Sequence, residues 1–546
     1  MRRRGKNVID DAERHRAKKA SFISQEGEKI MRSTAALAFG FSFLAFSPAF
    51  AASHTVTVNT VQIFGTIDPA KISDYTDYMA SANLYDGLTN VDSKGGLVPE
   101  LAEKWEVAPD GMSVIFHLRA DAKFQDGSPV QAEDVVYSVE RLLKINQGPA
   151  NLFAGVLKSG SVEAVDAKTV KFNLLKTFSP FLATVPAIRI VNAKLVTANA
   201  GADDGQTYLA THVAGAGPYT LKSWERGTQM TIDRDPNYYR GWGEGPIDQV
   251  RFLITNDEAT VRSLAASGEL TMSSQYQSPD TYDALGKMSR FRVVKGETSI
   301  AFYLKLNTKV APTDDVHIRK ALALATDYDT IRGTIVPGAE LSGPLPKTFA
   351  EAHLDSPAPK FDLDGAKAEI AKSAYAGKTG IPITFTYVAG TKFEEELALL
   401  MQANLEQIGF KVNVQSEPWN RVTEIAGKVD TTPNVTEVFY GPTYPSPDSM
   451  FYGQYHSKSA GTWTSMEWLQ NPEIDKLIEA ARATPDTSAQ AKIYKDVQQK
   501  LIDQQVDVFL ETQVVQHAMD KCLDGYAPVP MQSFDYNFHK YKWTCN

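Results

Sequence analysis

The side chains that could carry chemistry are few in this 546-residue sequence, and their spacing argues against catalysis. Nine histidines occur without close metal-ligand spacing, and the motifs GxxxxGK[ST], HExxH, CxxC and GxSxG are absent. The acid pair Asp203 and Asp204 lies in a polar stretch, where adjacent acids mark loops or helix starts. We therefore predict a protein that is not an enzyme and that binds no metal and no cofactor.

The N-terminal segment indicates export. Residues 1–34 are polar and rich in cations, residues 35–46 are almost wholly apolar, and Ala49 and Ala51 form an Ala-x-Ala cleavage pattern. The apolar run is shorter than the roughly 20 residues that a helix needs to span a bilayer. We predict a signal peptide over residues 1–51, with Met31 as an alternative start. No cysteine follows the cleavage pattern, so we expect a periplasmic protein without a lipid anchor.

Composition and charge exclude several other classes of protein. The chain is 43% hydrophobic and 22% charged, so it can bury a core and is not disordered by composition. Its formal charge is −9; residues 1–51 hold ten of the 56 basic and five of the 65 acidic side chains, which leaves −14 for the exported part. An acidic protein without a clustered basic face is not expected to bind nucleic acid.

The two cysteines, Cys522 and Cys545, lie in one short C-terminal segment. An oxidising compartment allows them to form a disulfide, which would stabilise the fold by roughly 3 kcal/mol on the chain-entropy model. We expect this disulfide; two buried thiols are the alternative.

The elements that must position any binding site alternate between strands and helices. Residues 113–119 and 169–174 alternate apolar and polar side chains as strands do. Residues 132–143, 316–325 and 393–408 carry apolar side chains at helical spacing. Gly409 stops the last of these helices, and a predicted strand begins at Phe410. The pattern predicts an α/β protein.

Several stretches, taken together and in order, resemble a known family. They lie at residues 84–88 (LYDGL), 99–106 (PELAEKWE), 124–138 (FQDGSPVQAEDVVYS), 217–224 (GPYTLKSW), 235–239 (DPNYY), 315–322 (DVHIRKAL) and 471–478 (NPEIDKLI). From about residue 55 to the C-terminus the chain is similar to the peptide/nickel family of periplasmic solute-binding proteins of ABC transporters. The oligopeptide- and dipeptide-binding proteins are the best-known members.

The resemblance implies a two-lobed periplasmic binding protein fold with hinge-linked lobes, a central ligand cleft and an extra inserted subdomain. Mapped onto this chain, lobe I comprises residues 52–94, 216–309 and 516–546. The inserted subdomain comprises residues 95–215, and lobe II comprises residues 310–515.

The sequence departs from the family at one residue of the expected site. Relatives carry an Ala-Asp-Tyr-x-x-Pro type segment whose aspartate pairs with the amino group of a bound peptide. The corresponding segment here is residues 442–447, and Thr443 occupies the carboxylate position. A buried ammonium without a carboxylate is costly, so binding of an ordinary peptide is weakened unless Asp448 or Glu437 supplies the charge.

Aromatic side chains surround this segment in the sequence. Trp419, Tyr440, Tyr444 and Trp463 lie near it, and Tyr75 belongs to an N-terminal segment that lines the cleft in relatives. Aromatic faces with hydroxyl donors suit sugars and uncharged polar solutes as well as peptides. The alternative is that these side chains pack the core of the lobe.

We therefore expect the substrate-binding component of an ABC importer, a monomer that captures a peptide or similar polar organic solute and delivers it to a permease with its ATPase subunits. A binding protein for a sugar conjugate, an opine-like or another non-peptide solute is the first alternative. A sensor that passes its ligand to a chemoreceptor is a second, and a secreted hydrolase is a remote third.

Overall fold

The computed structural model describes residues 54–61, 64–357, 359–529, 531 and 534–545. Its strands are β1 Thr55–Thr60, β2 Thr89–Val91, β3 Leu97–Pro99, β4 Ala102–Val107, β5 Ser113–Leu118, β6 Val162–Asp166, β7 Thr169–Asn173, β8 Tyr219–Glu225, β9 Gln229–Arg234, β10 Gln249–Ile254, β11 Phe291–Leu306, β12 Gly338–Glu340, β13 Ile381–Val388, β14 Phe410–Glu417, β15 Val435–Tyr440, β16 Asp507–Asp520, β17 Leu523–Asp524 and β18 Lys542–Trp543.

Its α-helices are α1 Tyr75–Leu84, α2 Ala132–Ile145, α3 Phe181–Thr184, α4 Ala193–Ala198, α5 Gln206–Leu209, α6 Glu258–Ser267, α7 Pro279–Gly286, α8 Val316–Leu324, α9 Tyr328–Thr330, α10 Leu363–Ile370, α11 Lys392–Glu406, α12 Trp419–Ile425, α13 Pro447–Tyr455, α14 Pro472–Arg482 and α15 Thr487–Asp503. The predicted α/β organisation is confirmed.

Local sequence chemistry explains the predicted elements. Strands β5 and β7 alternate buried and half-buried residues, and α2 begins where Asp134 accepts the backbone N–H of Gln131. Helix α11 is followed by Gly409, whose φ of +100° lies in the left-handed region that glycine adopts without strain. The chain then enters β14 at Phe410, as predicted.

Three sheets form the body of the described chain. A four-stranded sheet of order β1-β10-β9-β8 belongs to lobe I, and it pairs β1 with β10 in parallel. An antiparallel sheet of order β4-β5-β7-β6 forms the inserted subdomain. A six-stranded sheet of order β12-β16-β11-β15-β13-β14 forms lobe II. The two-lobed fold with an inserted subdomain is thus built from residues distant in sequence.

Two long strands connect the lobes. Strand β11 pairs with β16 from Phe291 to Lys305, and the ladder is irregular between Glu297 and Ala301. Met272 forms isolated β-bridges with Val58 of β1 and with Met519 of β16. The C-terminal end of β16 is thereby connected to the sheet of lobe I. Residues 301–306 pair with β15 inside the lobe II sheet. The domain limits that we placed, including the boundary at residue 310, stay predictions.

The inserted subdomain also contacts lobe II away from these strands. The backbone N–H of Ser179 donates to the Arg482 carbonyl at 3.0 Å, and Lys176 pairs with Glu479 at 3.2 Å. The Arg482 guanidinium lies 4.7 Å from the centre of the Phe178 ring. These residues form a contact between the subdomain and the end of α14.

The C-terminal segment completes lobe I. A disulfide joins Cys522 and Cys545, and β17 pairs with β18 beside it. The Asn83 side chain makes two hydrogen bonds to this segment. Its Nδ2 donates to the Tyr536 carbonyl, and its Oδ1 accepts from the Phe538 N–H. Helix α1 is thereby fixed by the last residues of the chain.

Candidate functional site: a cleft between the lobes

A cavity is lined by residues of both lobes. Helix α1 and the loop before α7 supply Tyr75, Gln275 and Tyr276, and β11 supplies residues 298–300 where its ladder is irregular. Phe439, Gly441 and Pro442 close it from lobe II. Val529, Met531 and Asp535 close it from the C-terminal segment. A solute in this cavity would contact both lobes and the connecting strand at once.

Aromatic rings form much of the cavity wall. Tyr75 and Tyr276 meet edge to face at 5.4 Å, and Tyr276 meets Phe439 of lobe II at 5.8 Å. The Tyr75 hydroxyl lies 2.7 Å from the Tyr536 hydroxyl. Such surfaces contribute apolar contact and hydroxyl hydrogen bonds together. The prediction placed Tyr75 in the cleft; sequence reasoning missed Tyr276 and Phe439.

Asp535 is the carboxyl group that lines this cavity. Its Oδ2 accepts the Tyr526 hydroxyl at 3.0 Å, and burial raises its pKa to about 7. Among the cavity-lining residues that the structure describes there is no Lys, Arg or His. The cavity therefore offers a negative or neutral partner to a solute and no fixed positive charge. No local sequence signal marks Asp535, because it reaches the cavity only through the tertiary fold.

A second group of aromatic side chains, Trp419, Tyr440 and Trp463, lies on lobe II. Trp419, the first residue of α12, meets Trp463 edge to face at 5.0 Å, and Trp463 lies 6.0 Å from Tyr440. Asp74, the N-cap residue of α1, lies close to the Trp419 indole. Burial raises the pKa of the Asp74 carboxyl group, and the Trp419 side chain opposes this increase only in part. Trp419 therefore lies where the two lobes approach each other.

The segment that corresponds to the family's amine-binding motif is engaged with its own lobe. The Thr443 N–H donates to the Ser449 hydroxyl at 2.9 Å, and the Tyr440 hydroxyl donates to the Ser449 carbonyl at 2.8 Å. The Tyr444 hydroxyl donates to Asp448 at 2.6 Å. Tyr440 and Tyr444 are buried, whereas Thr443 is half-buried beside the cavity-lining Pro442.

Asp448 is committed to contacts within lobe II. It is fully buried, accepts from Tyr444 and Tyr494, and lies 3.3 Å from the Arg482 Nε. Burial raises its pKa more than Arg482 lowers it. Its partners thus lie inside the lobe, and its assignment to the ligand site stays a prediction.

Glu437 is the other acid that the sequence suggested. It is buried on β15, neither carboxyl oxygen has a hydrogen-bond partner, and desolvation together with the nearby Glu394 raises its pKa well above the usual range. The described lining of the cavity includes neither Glu437 nor Asp448.

Most of the chain matches a known protein family. Residues 96–462 match the family model of bacterial extracellular solute-binding proteins, family 5 Middle, which is more than half of the chain. The chain belongs to the bacterial extracellular solute-binding proteins of family 5. The resemblance that we predicted from the sequence is thus confirmed.

Relatives share its full architecture. The probable D,D-dipeptide-binding periplasmic protein DdpA of Escherichia coli is 29% identical over 514 residues, which cover 91% of this chain and 97% of that protein. A dipeptide-binding protein from Pseudoalteromonas sp. SM9913, solved with Met-Leu, has a TM-score of 0.81 at 20% identity and covers 90% of this chain and 100% of its own. AgaA of A. tumefaciens R10, solved with agropinic acid, has a TM-score of 0.78 at 24% identity over 90% of this chain and 99% of its own. The two-lobed fold of the solute-binding protein is confirmed by these structures.

No helix in the described part of the chain is long and apolar enough to cross a membrane. Among the described residues no group of three or more His, Cys, Asp or Glu side chains is placed to hold a metal ion.

Proposed function

We propose that this solute-binding protein captures a peptide or similar polar organic solute between its lobes and delivers it to the permease of an ABC importer. The observation that carries the proposal is the cavity lined from lobe I, lobe II and β11 together. Contacts made by both lobes exist only when the lobes are closed, so ligand favours the closed arrangement. The protein acts by binding and release and carries out no chemical step on its solute.

The charge of the cavity narrows the solute class. Thr443 has a hydroxyl group at the position where peptide-binding members of the family have a carboxylate. Asp448 is paired with Arg482. Asp535 is left as the acid that faces the cavity, from the opposite lobe. We propose that a cationic group, where the solute has one, pairs with Asp535, and that N-blocked peptides or glycosides bind through the aromatic and amide groups of the cavity without this ion pair.

The proposed location is the periplasm. Residues 1–51, the predicted signal peptide, lie outside the described residues, and the Ala49 and Ala51 pattern is its support. N-terminal sequencing of the exported protein is expected to begin at Ala52. A protein that keeps the apolar run of residues 35–46 in the membrane would contradict this.

The solute is identified by releasing it. We expect that denaturing the purified protein liberates a small molecule detectable by mass spectrometry, and that adding it back raises the melting temperature and reduces the radius of gyration in solution scattering. The Asp535→Asn variant tests the proposed charge partner, with the exposed Asp430→Asn as its matched control. An unchanged radius of gyration at saturation would contradict capture by lobe closure.

A further inference from the structure

A second cavity lies beside the first, on the other side of Gln275. Residues of lobe I (Gln275, Gln277), of lobe II (Ile335, Phe393) and of the connecting strand β16 (Gln513, Gln516) line it together. Gln275 lines both cavities. The second cavity thus shares a wall residue with the proposed solute site and is lined by the same two lobes.

The second cavity is polar through neutral amides. Its four glutamines are each more than nine-tenths buried, and its other lining residues are apolar apart from Tyr282. The Tyr282 hydroxyl is already used, since it donates to the Gln516 carbonyl at 2.8 Å. The described lining includes no Asp, Glu, Lys, Arg or His. A solute group bound here meets hydrogen-bonding partners without charge.

Three of these amides have an atom without a partner. The Oε1 atoms of Gln277 and Gln513 and the Nε2 of Gln275 are buried without a hydrogen bond. Buried polar atoms left unsatisfied destabilise a fold, so native structures seldom contain three around one cavity without a reason. Gln275 and Gln277 belong to lobe I and Gln513 to β16, so a group bound here meets unpaired acceptors and an unpaired donor from both.

We infer that this glutamine-lined cavity is a subsite for a neutral part of the solute that both donates and accepts hydrogen bonds, such as a peptide amide or a sugar hydroxyl. An ammonium group is disfavoured, because a buried charge among neutral amides lacks the pairing that offsets its desolvation. The inference rests on the proposed function and adds the chemistry of one end of the solute: donors and acceptors without charge.

The test compares matched variants with a neutral probe. The probe is N-acetyl-alanyl-alanine amide, which has four N–H bonds, three carbonyl acceptors and no charge, with alanyl-alanine as the charged comparison. Leucine has nearly the size of glutamine and no acceptor, so Gln277→Leu and the double variant with Gln513→Leu remove the two orphaned oxygens. Gln499→Leu, at an exposed position of α15, is the control.

Calorimetry and melting temperature decide the inference. Each lost hydrogen bond is expected to weaken the neutral probe about fivefold, and the ligand-free melting temperature should stay equal or rise because an unsatisfied buried group is gone. Equal affinity in wild type and variants would overturn the subsite. Binding of alanyl-alanine alone would overturn it while the proposed capture function stands. If neither probe binds the wild type, both the subsite and the peptide part of the proposed function are refuted.

Discussion

The Asp448→Asn substitution separates a structural role for this carboxylate from a role in binding. Asp448 is fully buried and holds the Arg482 Nε at 3.3 Å, the Tyr444 hydroxyl at 2.6 Å and the Tyr494 hydroxyl at 3.2 Å. Asparagine has the same shape but no charge. The change therefore leaves the Arg482 guanidinium buried without its carboxylate.

The expected magnitude follows from these contacts. Removing one partner of a buried ion pair costs about 3–5 kcal/mol of unfolding free energy. Arg482 keeps the Tyr452 ring at 3.7 Å, and the asparagine carbonyl still accepts one tyrosine hydroxyl, which places the loss near the lower limit. We expect a loss of about 3 kcal/mol.

Urea unfolding followed by circular dichroism measures this loss, with Asp430→Asn as the control at an exposed position of the same lobe. The control should change stability by less than about 0.5 kcal/mol. A variant with wild-type stability would refute the reasoning. So would a variant that keeps its stability and loses only the solute, because Asp448 would then act in the cleft.

Three further predictions concern the ligand, the disulfide and pH. Thr443→Asp is expected to increase the preference for a dipeptide with a free amino terminus over its N-acetyl form by about ten- to a hundredfold, as measured by calorimetry. If the wild type already binds the free dipeptide tightly and acetylation abolishes that binding, another acid already pairs with the amino group. Replacing Cys522 and Cys545 by serine should lower the unfolding free energy by about 3 kcal/mol, and reductant should then have no further effect. Burial lowers the pKa of His517 to about 4. Between about pH 6.5 and pH 4, His517 is therefore protonated in the unfolded state and neutral in the folded state. The unfolding free energy falls as the pH falls through this range. Urea unfolding at pH 7 and pH 5 should show a loss of about 2 kcal/mol from this residue, which His517→Gln removes; an unchanged pH dependence in the variant would contradict the assignment.

The sequence predicted the elements well because their signals are local. Periodicity marks α11, the glycine at Gly409 marks its end, and the apolar run from Phe410 marks the strand that follows. The family motifs predicted the lobes for the same reason, since each motif is a short stretch with its own turn or helix start. One such turn lies at residues 126–128, where the N–H and the hydroxyl of Ser128 donate to the Asp126 carboxylate.

The site was harder to predict because it depends on contacts between distant residues. The aromatic types near residue 443 indicated a cleft, but they did not show that the hydroxyls of Tyr440 and Tyr444 turn into lobe II. The pairing of Asp448 with Arg482 joins residues 34 positions apart. Asp535 and Gln277 carry no motif, and only the assembled fold brings them to cavities between the lobes.

The way lobe I closes on itself sets the order in which the molecule can fold. Strand β1 begins at Thr55, and helix α1 is held by Tyr536 and Phe538 through the amide of Asn83. Residues at opposite ends of the chain must therefore meet before this lobe is complete, which is a costly loop to close. The sheet strands β13 to β15 of lobe II, in contrast, lie close together along the chain. Because Tyr536 and Phe538 are synthesised after lobe II, lobe I stays unfinished until the whole of lobe II has been made.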